Sequence, residues 1–152
     1  MTGTGKNRMQ IRKMTVEDCA QVAAIETMSF SMPWSLHAFT ESVANSNYRF
    51  LVAEEEGEIL GYCGFVYVLD EAEIPNVCVS VEARKRGIGR ALMEELIKTA
   101  KELGVVTLHL EVRQSNVAAQ RLYRSVGFEE VGIRKNFYEL PKEDALLMCR
   151  TL

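Results

Sequence analysis

The stretch RKRGIGR at residues 84–90 carries four cationic side chains and two glycines. The glycines allow backbone N–H groups to approach a ligand at the start of a helix, where the helix dipole favours negative charge. Several amides and several cations converge there, which suits a pyrophosphate better than a carboxylate. A solvated basic turn that caps a helix is the alternative, because G-x-G alone is a weak motif. The residues of this anion hypothesis are Arg84, Lys85, Arg86, Gly87, Gly89 and Arg90.

A dinucleotide-binding fold would also place G-x-G at a helix start. Glu111 lies about 20 residues downstream, where such a fold carries its ribose-binding acid. However, Leu92 occupies the third glycine position, and seven residues separate the predicted strand end at Val79 from Gly87. The dinucleotide motif needs a tight strand-to-helix turn at this point. We therefore reject the dinucleotide fold.

The composition is typical of a globular protein with one domain. The chain has 152 residues, 47% of them hydrophobic, and a formal net charge of -3, which argues against a general nucleic-acid binder with a broad basic face. The longest nearly apolar run, residues 59–69, is too short to span a bilayer, and no apolar segment predicts a secretory signal. We expect a flexible tail at residues 1–8, a domain at residues 9–152, and neither nucleic-acid nor membrane partners.

The four cysteines are too widely spaced for a metal site. Cys19, Cys63, Cys78 and Cys149 stand 44, 15 and 71 positions apart, without a C-x-x-C pair. This spacing predicts no zinc site and no other metal. Small buried thiols are typical of the reducing cytoplasm, where we expect the protein to reside.

Hydrophobic periodicity predicts an α/β fold, a mixed sheet with helices packed against it, in the order βααβββαβαββ. The predicted strands cover 9–14, 48–55, 58–69, 71–80, 105–112, 128–134 and 144–151. The predicted helices run from Thr15 until SFSMPW, from Ser35 to about Ser46, from RKRGIGR to Gly104, and over 115–127.

Several motifs together resemble a known family. The pattern R-x-x-G-x-G, which follows a strand, is similar to the pyrophosphate loop of the Gcn5-related N-acetyltransferases, which bind acetyl-CoA. Arg84 stands where the family often has glutamine. The segments SFSMPWS, LDEAEIPNVCV, LEVRQSN-x-A-A, LYRSVGF and IRKNFY followed by EDA are similar to the RimI-type ribosomal protein alanine N-acetyltransferases. The resemblance covers nearly the whole chain and implies a single-domain acyl-CoA N-acyltransferase fold.

The same resemblance implies a role for each site residue. Backbone groups of the strand before the loop would bind the pantetheine arm of acetyl-CoA, the loop would hold its pyrophosphate, and Asn116 would contact its amide region. Glu111 matches the general base of the family and Tyr123 its general acid. The implied cofactor-binding residues are Val77, Cys78, Val79, Arg84, Lys85, Arg86, Gly87, Ile88, Gly89, Arg90 and Asn116.

Acetyl transfer from a thioester to an amine needs a neutral amine, a stabilised oxyanion and a protonated leaving thiol. Glu111 is predicted to face away from the apolar side of its strand, where a carboxylate can accept the amine proton directly or through water. A leaving thiol with a pKa of about 8.5 is well served by a phenol with a pKa of about 10. From the residues alone, Glu111 can also be a solvated strand-end acid, and Tyr123 a core aromatic that shares a helical face with Ala119, Leu122 and Val126.

Other reactive side chains are not paired in the sequence pattern. No base is evident beside Cys78, so we expect its side chain to pack and the reaction to proceed by direct attack in a ternary complex. His37 and His109 have no spaced partner. We expect both histidines to be structural or surface groups.

The choice of base also bears on the acceptor. A protein α-amine has a pKa of about 7.7–8.0 and lysine one of about 10.4, so neutralising lysine at pH 7 costs about 3–4 kcal/mol more. A lone carboxylate base therefore favours an α-amine, and the resemblance implies the N-terminal alanine of a ribosomal protein. The alternatives are an enzyme of the same fold that acetylates lysine or a small amine, and a non-catalytic sensor that binds CoA. The oligomeric state is not predicted.

Overall fold

The computed structural model describes residues 9–152, which form a seven-stranded mixed sheet with helices on both faces. The strands are β1 Met9–Lys13, β2 Tyr48–Glu55, β3 Glu58–Val68, β4 Glu71–Val79, β5 Thr107–Arg113, β6 Glu129–Tyr138 and β7 Glu143–Thr151. The helices are α1 Cys19–Ser29, α2 Leu36–Val43, α3 Ile88–Glu102 and α4 Val117–Ser125. The predicted order is confirmed, and the predicted tail at residues 1–8 lies outside the described residues. Within residues 9–152, no helix combines the length and the apolar character needed to cross a membrane.

Some predicted boundaries were wrong. Helix α2 ends at Val43 instead of near Ser46, because the side chain of Asn45 accepts a hydrogen bond from the N–H of Asn47 at 2.8 Å. Asparagine competes with helical hydrogen bonding in this way and favours a turn. Strand β6 is longer than predicted, because it pairs with β7 as far as Tyr138.

Strands β4 and β5 lie side by side for only part of their length. The sheet order is β1-β2-β3-β4-β5-β7-β6, and β4 with β5 is its parallel pair. That pairing stops at Glu73 and His109. Between the pairs Val66–Glu73 and Gly64–Asn76, β4 has one residue more than β3, which is a β-bulge. Pro75 lies in this bulge and has no N–H to donate, so the second half of β4 diverges from β5 and leaves a gap in the sheet.

Two hydrophobic clusters hold the helices to the sheet. Helices α3 and α4 cover one face, where Leu92, Leu96 and Leu108 are fully buried. Helices α1 and α2 cover the other face at β2, β3 and β4 through Val22 and Phe39. Full burial of each such side chain stabilises the fold by about 1.5–3 kcal/mol. The second face of β5 and β7 borders an open cleft instead of a helix, so side chains there are accessible to a ligand.

Candidate active site

The free edge of β4 forms one wall of the gap. Cys78 pairs with Tyr62 of β3, and the next ladder bond runs from the N–H of Ser80 to the oxygen of Leu60. Since backbone groups of successive residues alternate between the two edges of a strand, those of Val77 and Val79 face the gap. The prediction that Cys78 also offers its backbone to a pantetheine arm is therefore corrected, because its peptide groups face β3.

The RKRGIGR segment forms the predicted turn at the start of α3. Gly87 is the N-cap residue and has a φ of 78°, which L side chains rarely adopt. Lys85 has a φ of 67°, so the loop contains two left-handed residues that curve its backbone. Ile88 is only 2% exposed and anchors the loop in the core. The free N–H groups of the first turn of α3 are therefore held in one arrangement, and such an arrangement is suited to an anion.

Acidic residues partly neutralise the cations of this loop. Arg86 lies 2.9 Å from Glu55, and Arg90 lies 3.1 Å from Glu94. The Nε of Arg84 donates to the carbonyl oxygen of Val79 at 3.2 Å, which ties the loop to the β4 edge. Lys85 forms no ion pair with any residue from 9 to 152. The positive charge that remains at the α3 N-terminus suits an anionic group.

Glu111 lies on the open face of β5, as predicted. Its side chain is 28% exposed, and the nearest cation is Arg134, with 3.8 Å between Nη1 and Oε2. Burial raises the pKa of Glu111 above its usual range, and the negative charge of Glu73 adds to the increase. Arg134 and His109 oppose this increase. A carboxylate whose pKa is raised is a stronger base, which is the property that a proton acceptor needs.

Tyr123 lies on α4, on the opposite face of the sheet from Glu111. The residue is 8% exposed, and its ring centroid lies 6.0 Å from that of Phe128. Burial raises the pKa of Tyr123 well above its usual range, so the phenol stays protonated at neutral pH. Tyr123 belongs to the hydrophobic cluster that packs α3 and α4 against the sheet. A protonated phenol on this face is chemically able to act as a proton donor.

Asn116 lies at the start of α4. Its side-chain oxygen caps the helix by accepting from the N–H of Ala119 at 3.1 Å. A capping oxygen leaves the amide nitrogen of the side chain available as a donor. The structure therefore gives Asn116 a structural role and is compatible with the predicted contact to a cofactor.

Two further residues of the site were missed by the sequence analysis. Arg113 is the last residue of β5, and its guanidinium lies 4.4 Å from the ring centroid of Tyr138. Burial, followed by the charge of Glu111, raises the pKa of Tyr138 to about 12. Arg113 follows Glu111 by two residues and therefore shares its face, which was the available signal in the sequence. Tyr138 comes close only through the β6–β7 hairpin.

The cysteine and histidine predictions have different outcomes. Cys78 is 7% exposed, and burial raises the pKa of its thiol, which opposes formation of a nucleophilic thiolate. Nε2 of the partly exposed His109 lies 2.8 Å from Glu71 of β4, a partner on another strand that the sequence spacing does not show. His37 lies 3.4 Å from Glu41 one helical turn away.

Within residues 9–152 no group of three metal-binding side chains occurs.

The open face beside Glu111 forms a cleft with a volume of about 470 Å³. Carboxylates and apolar side chains alternate along its walls. Its lining includes Val66, Val68, Glu71, Glu73, His109, Glu111, Val131 and Leu147. A molecule that reaches Glu111 from this face approaches the gap on the side opposite Tyr123.

The chain is similar to known acetyltransferases along nearly its whole length. The model of the acetyltransferase (GNAT) family matches residues 19–128. The ribosomal protein bS18-alanine N-acetyltransferase of Escherichia coli (strain K12) is 36% identical over 91% of this chain and 95% of its own length. A relative from Bacillus subtilis (strain 168) is 38% identical over 97% of this chain and 98% of its own length, and it is provisionally named as the same enzyme.

A solved structure has the same fold. The crystal structure of the ribosomal-protein-S18-alanine N-acetyltransferase from Escherichia coli superposes with a TM-score of 0.88 at 35% sequence identity, over 95% of this chain and 94% of that chain. The family model and the relatives cover the gap, the loop and the helix that carries Tyr123. The protein belongs to the acetyltransferase (GNAT) family.

Proposed function

We propose that this protein transfers the acetyl group of acetyl-CoA to the N-terminal α-amine of a ribosomal protein whose first residue is alanine. The observation that carries the proposal is the gap between β4 and β5, with Glu111 on one face of the sheet and Tyr123 on the other. The relatives from Escherichia coli are named for this acceptor at 36% identity. A carboxylate base suits an α-amine better than a lysine, because the α-amine has the lower pKa.

Acetyl-CoA would lie in the gap. The backbone of Val77 and Val79 would pair with its pantetheine arm, the first turn of α3 and the cations of residues 84–90 would bind its pyrophosphate, and the amide nitrogen of Asn116 would contact the arm. Residues 9–152 would form one catalytic domain, and the protein would act in the cytoplasm, where ribosomal proteins are made.

In the reaction, the neutral amine attacks the carbonyl carbon of the thioester. A carbon–nitrogen bond forms, the carbon–sulfur bond breaks, and the amine loses a proton to Glu111, directly or through one water. Tyr123 donates a proton to the departing thiolate, which leaves as CoA, and solvent restores both groups. Each proton transfer contributes about 10²–10⁴-fold to the rate.

The test is an assay with radiolabelled acetyl-CoA and matched peptides. A peptide that begins with alanine and continues with basic residues should accept the label. The same peptide with a blocked N-terminus and free lysines should not, and peptides with other first residues should accept less. Label on lysine alone would support the alternative acceptor class, and acetyl-CoA binding without transfer would support the sensor.

Direct attack is tested on Cys78. The variant Cys78→Ala should keep most of the activity, because a buried thiol with a raised pKa is a poor nucleophile. Mass spectrometry of the protein mixed with acetyl-CoA alone should show no acetyl adduct. An acetyl-Cys78 that is consumed when peptide is added would instead establish a covalent intermediate.

A further inference from the structure

A buried carboxylate lies beneath the loop that joins α1 to α2. Glu26 is 3% exposed and has no cation within salt-bridge distance among residues 9–152. Instead, the hydroxyl of Tyr62 donates to Oε1, and the N–H of Trp34 donates to Oε2 at 2.9 Å. The amide nitrogen of Asn76 lies 3.3 Å from both carboxylate oxygens. A buried charge needs such donors, so these contacts hold Glu26 and its neighbours in one arrangement.

The Asn76 side chain has two hydrogen-bonding groups, the amide nitrogen and the oxygen Oδ1, and only the nitrogen has a partner. The residue is 4% exposed, and its Oδ1 has no hydrogen-bond partner among residues 9–152. Glu26 prevents the amide from flipping, because a flipped amide would place its oxygen against the two carboxylate oxygens. Oδ1 is therefore kept facing away from Glu26. Leaving a buried acceptor unpaired is unfavourable, which points to a donor that arrives with a ligand.

The position of Asn76 indicates which ligand. Asn76 is the first residue of β4 after the bulge, where β4 has separated from β5. Its contact with Glu26 places its side chain on the face covered by α1, and Glu111 lies on that same face of β5, opposite the apolar residues of the strand. The two side chains therefore project to the same face of the sheet from the two strands that flank the gap.

We infer that Oδ1 of Asn76 accepts a hydrogen bond from the α-amine of the acceptor. This inference rests on the proposed function. A neutral primary amine has one lone pair, which must point at the thioester carbon, and two N–H groups. One N–H is directed to Glu111, and the other is directed to Asn76. Because Asn76 is uncharged, it orients the amine without stabilising the unreactive ammonium form as a second carboxylate would.

Glu26 is a positioning residue in this arrangement. It fixes the orientation of Asn76 and, through Trp34, also holds the loop at residues 30–35 beside the same site. The variant Glu26→Gln could donate its own N–H to Oδ1 of Asn76. We expect this variant to lose amine recognition although Asn76 is still present.

The experiment compares two peptides that differ only in the α-amine. One begins with alanine, and in the other a propionyl group replaces the alanyl residue. Calorimetry in the presence of CoA gives the ratio of their dissociation constants. We expect the wild-type protein to prefer the alanyl peptide, and Asn76→Leu and the smaller Asn76→Ser each to reduce that preference about three- to tenfold, the range of one hydrogen bond. The control Asn47→Ser changes an exposed asparagine elsewhere and should leave the ratio unchanged.

The possible outcomes separate the two proposals. Wild-type acetylation of the alanyl peptide, with an unchanged preference in both Asn76 variants, overturns the role of Asn76 alone. A wild-type protein that does not acetylate the alanyl peptide overturns the proposed function and this inference with it. The thermal unfolding temperature of each variant shows whether it is folded. If Asn76→Ser loses the same affinity for both peptides, that result also contradicts amine recognition by Asn76.

Discussion

The guanidinium of Arg113 stacks on the ring of Tyr138, with 4.4 Å between Cζ and the ring centroid. The same guanidinium donates to the carbonyl oxygens of Pro141 and Glu139, both at 2.9 Å, and lies 3.1 Å from the carboxylate of Glu143. One side chain at the end of β5 therefore holds the β6–β7 hairpin against the strand that carries Glu111.

The variant Arg113→Lys should raise KM for the peptide about threefold or more at saturating acetyl-CoA, because an ammonium cannot replace a planar guanidinium that stacks and donates in several directions. The affinity for acetyl-CoA should stay close to that of the wild type. Initial rates at varied peptide concentration measure the effect, with Arg121→Lys on the exposed side of α4 as the matched control. Equal KM values for the two variants would show that the hairpin does not shape the acceptor site.

The loop assignment is tested at Gly89, in the first turn of α3. A side chain built at Gly89 would place its Cβ 3.2 Å from Leu122. Gly89→Asp adds this bulk and a negative charge, whereas Gly89→Asn adds similar bulk without the charge. We expect Asp to weaken acetyl-CoA binding at least tenfold, about 1.4 kcal/mol, and Asn to weaken it less. Calorimetric affinities equal to the wild type in both folded variants would place the pyrophosphate elsewhere.

Asn116 allows its two roles to be separated. Asn116→Ser keeps an oxygen that can cap α4 but removes the amide donor, whereas Asn116→Ala removes both. If the donor contacts acetyl-CoA, both variants lose affinity for it, and only the alanine variant also loses stability, by about 1 kcal/mol. Thermal unfolding and calorimetry on the same samples separate these effects. A serine variant with wild-type affinity would restrict Asn116 to capping.

The raised pKa of Glu111 predicts a change in stability with pH. A carboxyl group with a raised pKa holds its proton more tightly in the folded protein, so its contribution to stability is complete below its unfolded pKa and is lost as pH rises through the folded value. The variant Glu111→Gln should therefore melt at a higher temperature than the wild type at pH 8, and this gain should shrink or reverse towards pH 4. Glu94→Gln, an exposed control that also loses an arginine partner, should show no such trend.

Part of this site could be predicted from the sequence. Alternation along residues 107–112 placed Glu111 opposite the apolar face, and the spacing of Gly87 and Gly89 predicted the turn at a helix start. Both signals are local, because they depend on the period of a strand and on backbone freedom. The contact of Thr15 with Asp18, at 2.8 Å from the Thr15 N–H to the carboxylate, is local as well.

The rest depends on contacts between distant segments. Pro75 gave no indication in the sequence that β4 would bulge and separate from β5, because the bulge is defined by the register with β3. Glu26 could have been noticed, since it follows Cys19 and Val22 on the buried side of α1, and a charged residue there calls for buried donors. Those donors, Tyr62 and Asn76, lie on other strands, so they could be identified only from the structure.

The most direct test of the account is the pH dependence of kcat for Glu111→Gln and Tyr123→Phe at saturating acetyl-CoA and peptide. Each change keeps the shape of the side chain and removes one proton-transfer group, so each should lower kcat about 10²-fold or more near pH 7. The rate of Glu111→Gln should recover towards pH 9, where the amine is already neutral, and Tyr123→Phe should recover less, because its leaving thiolate still lacks a proton donor. Wild-type kcat for both variants across this range would show that Glu111 and Tyr123 are structural and that the active centre lies elsewhere.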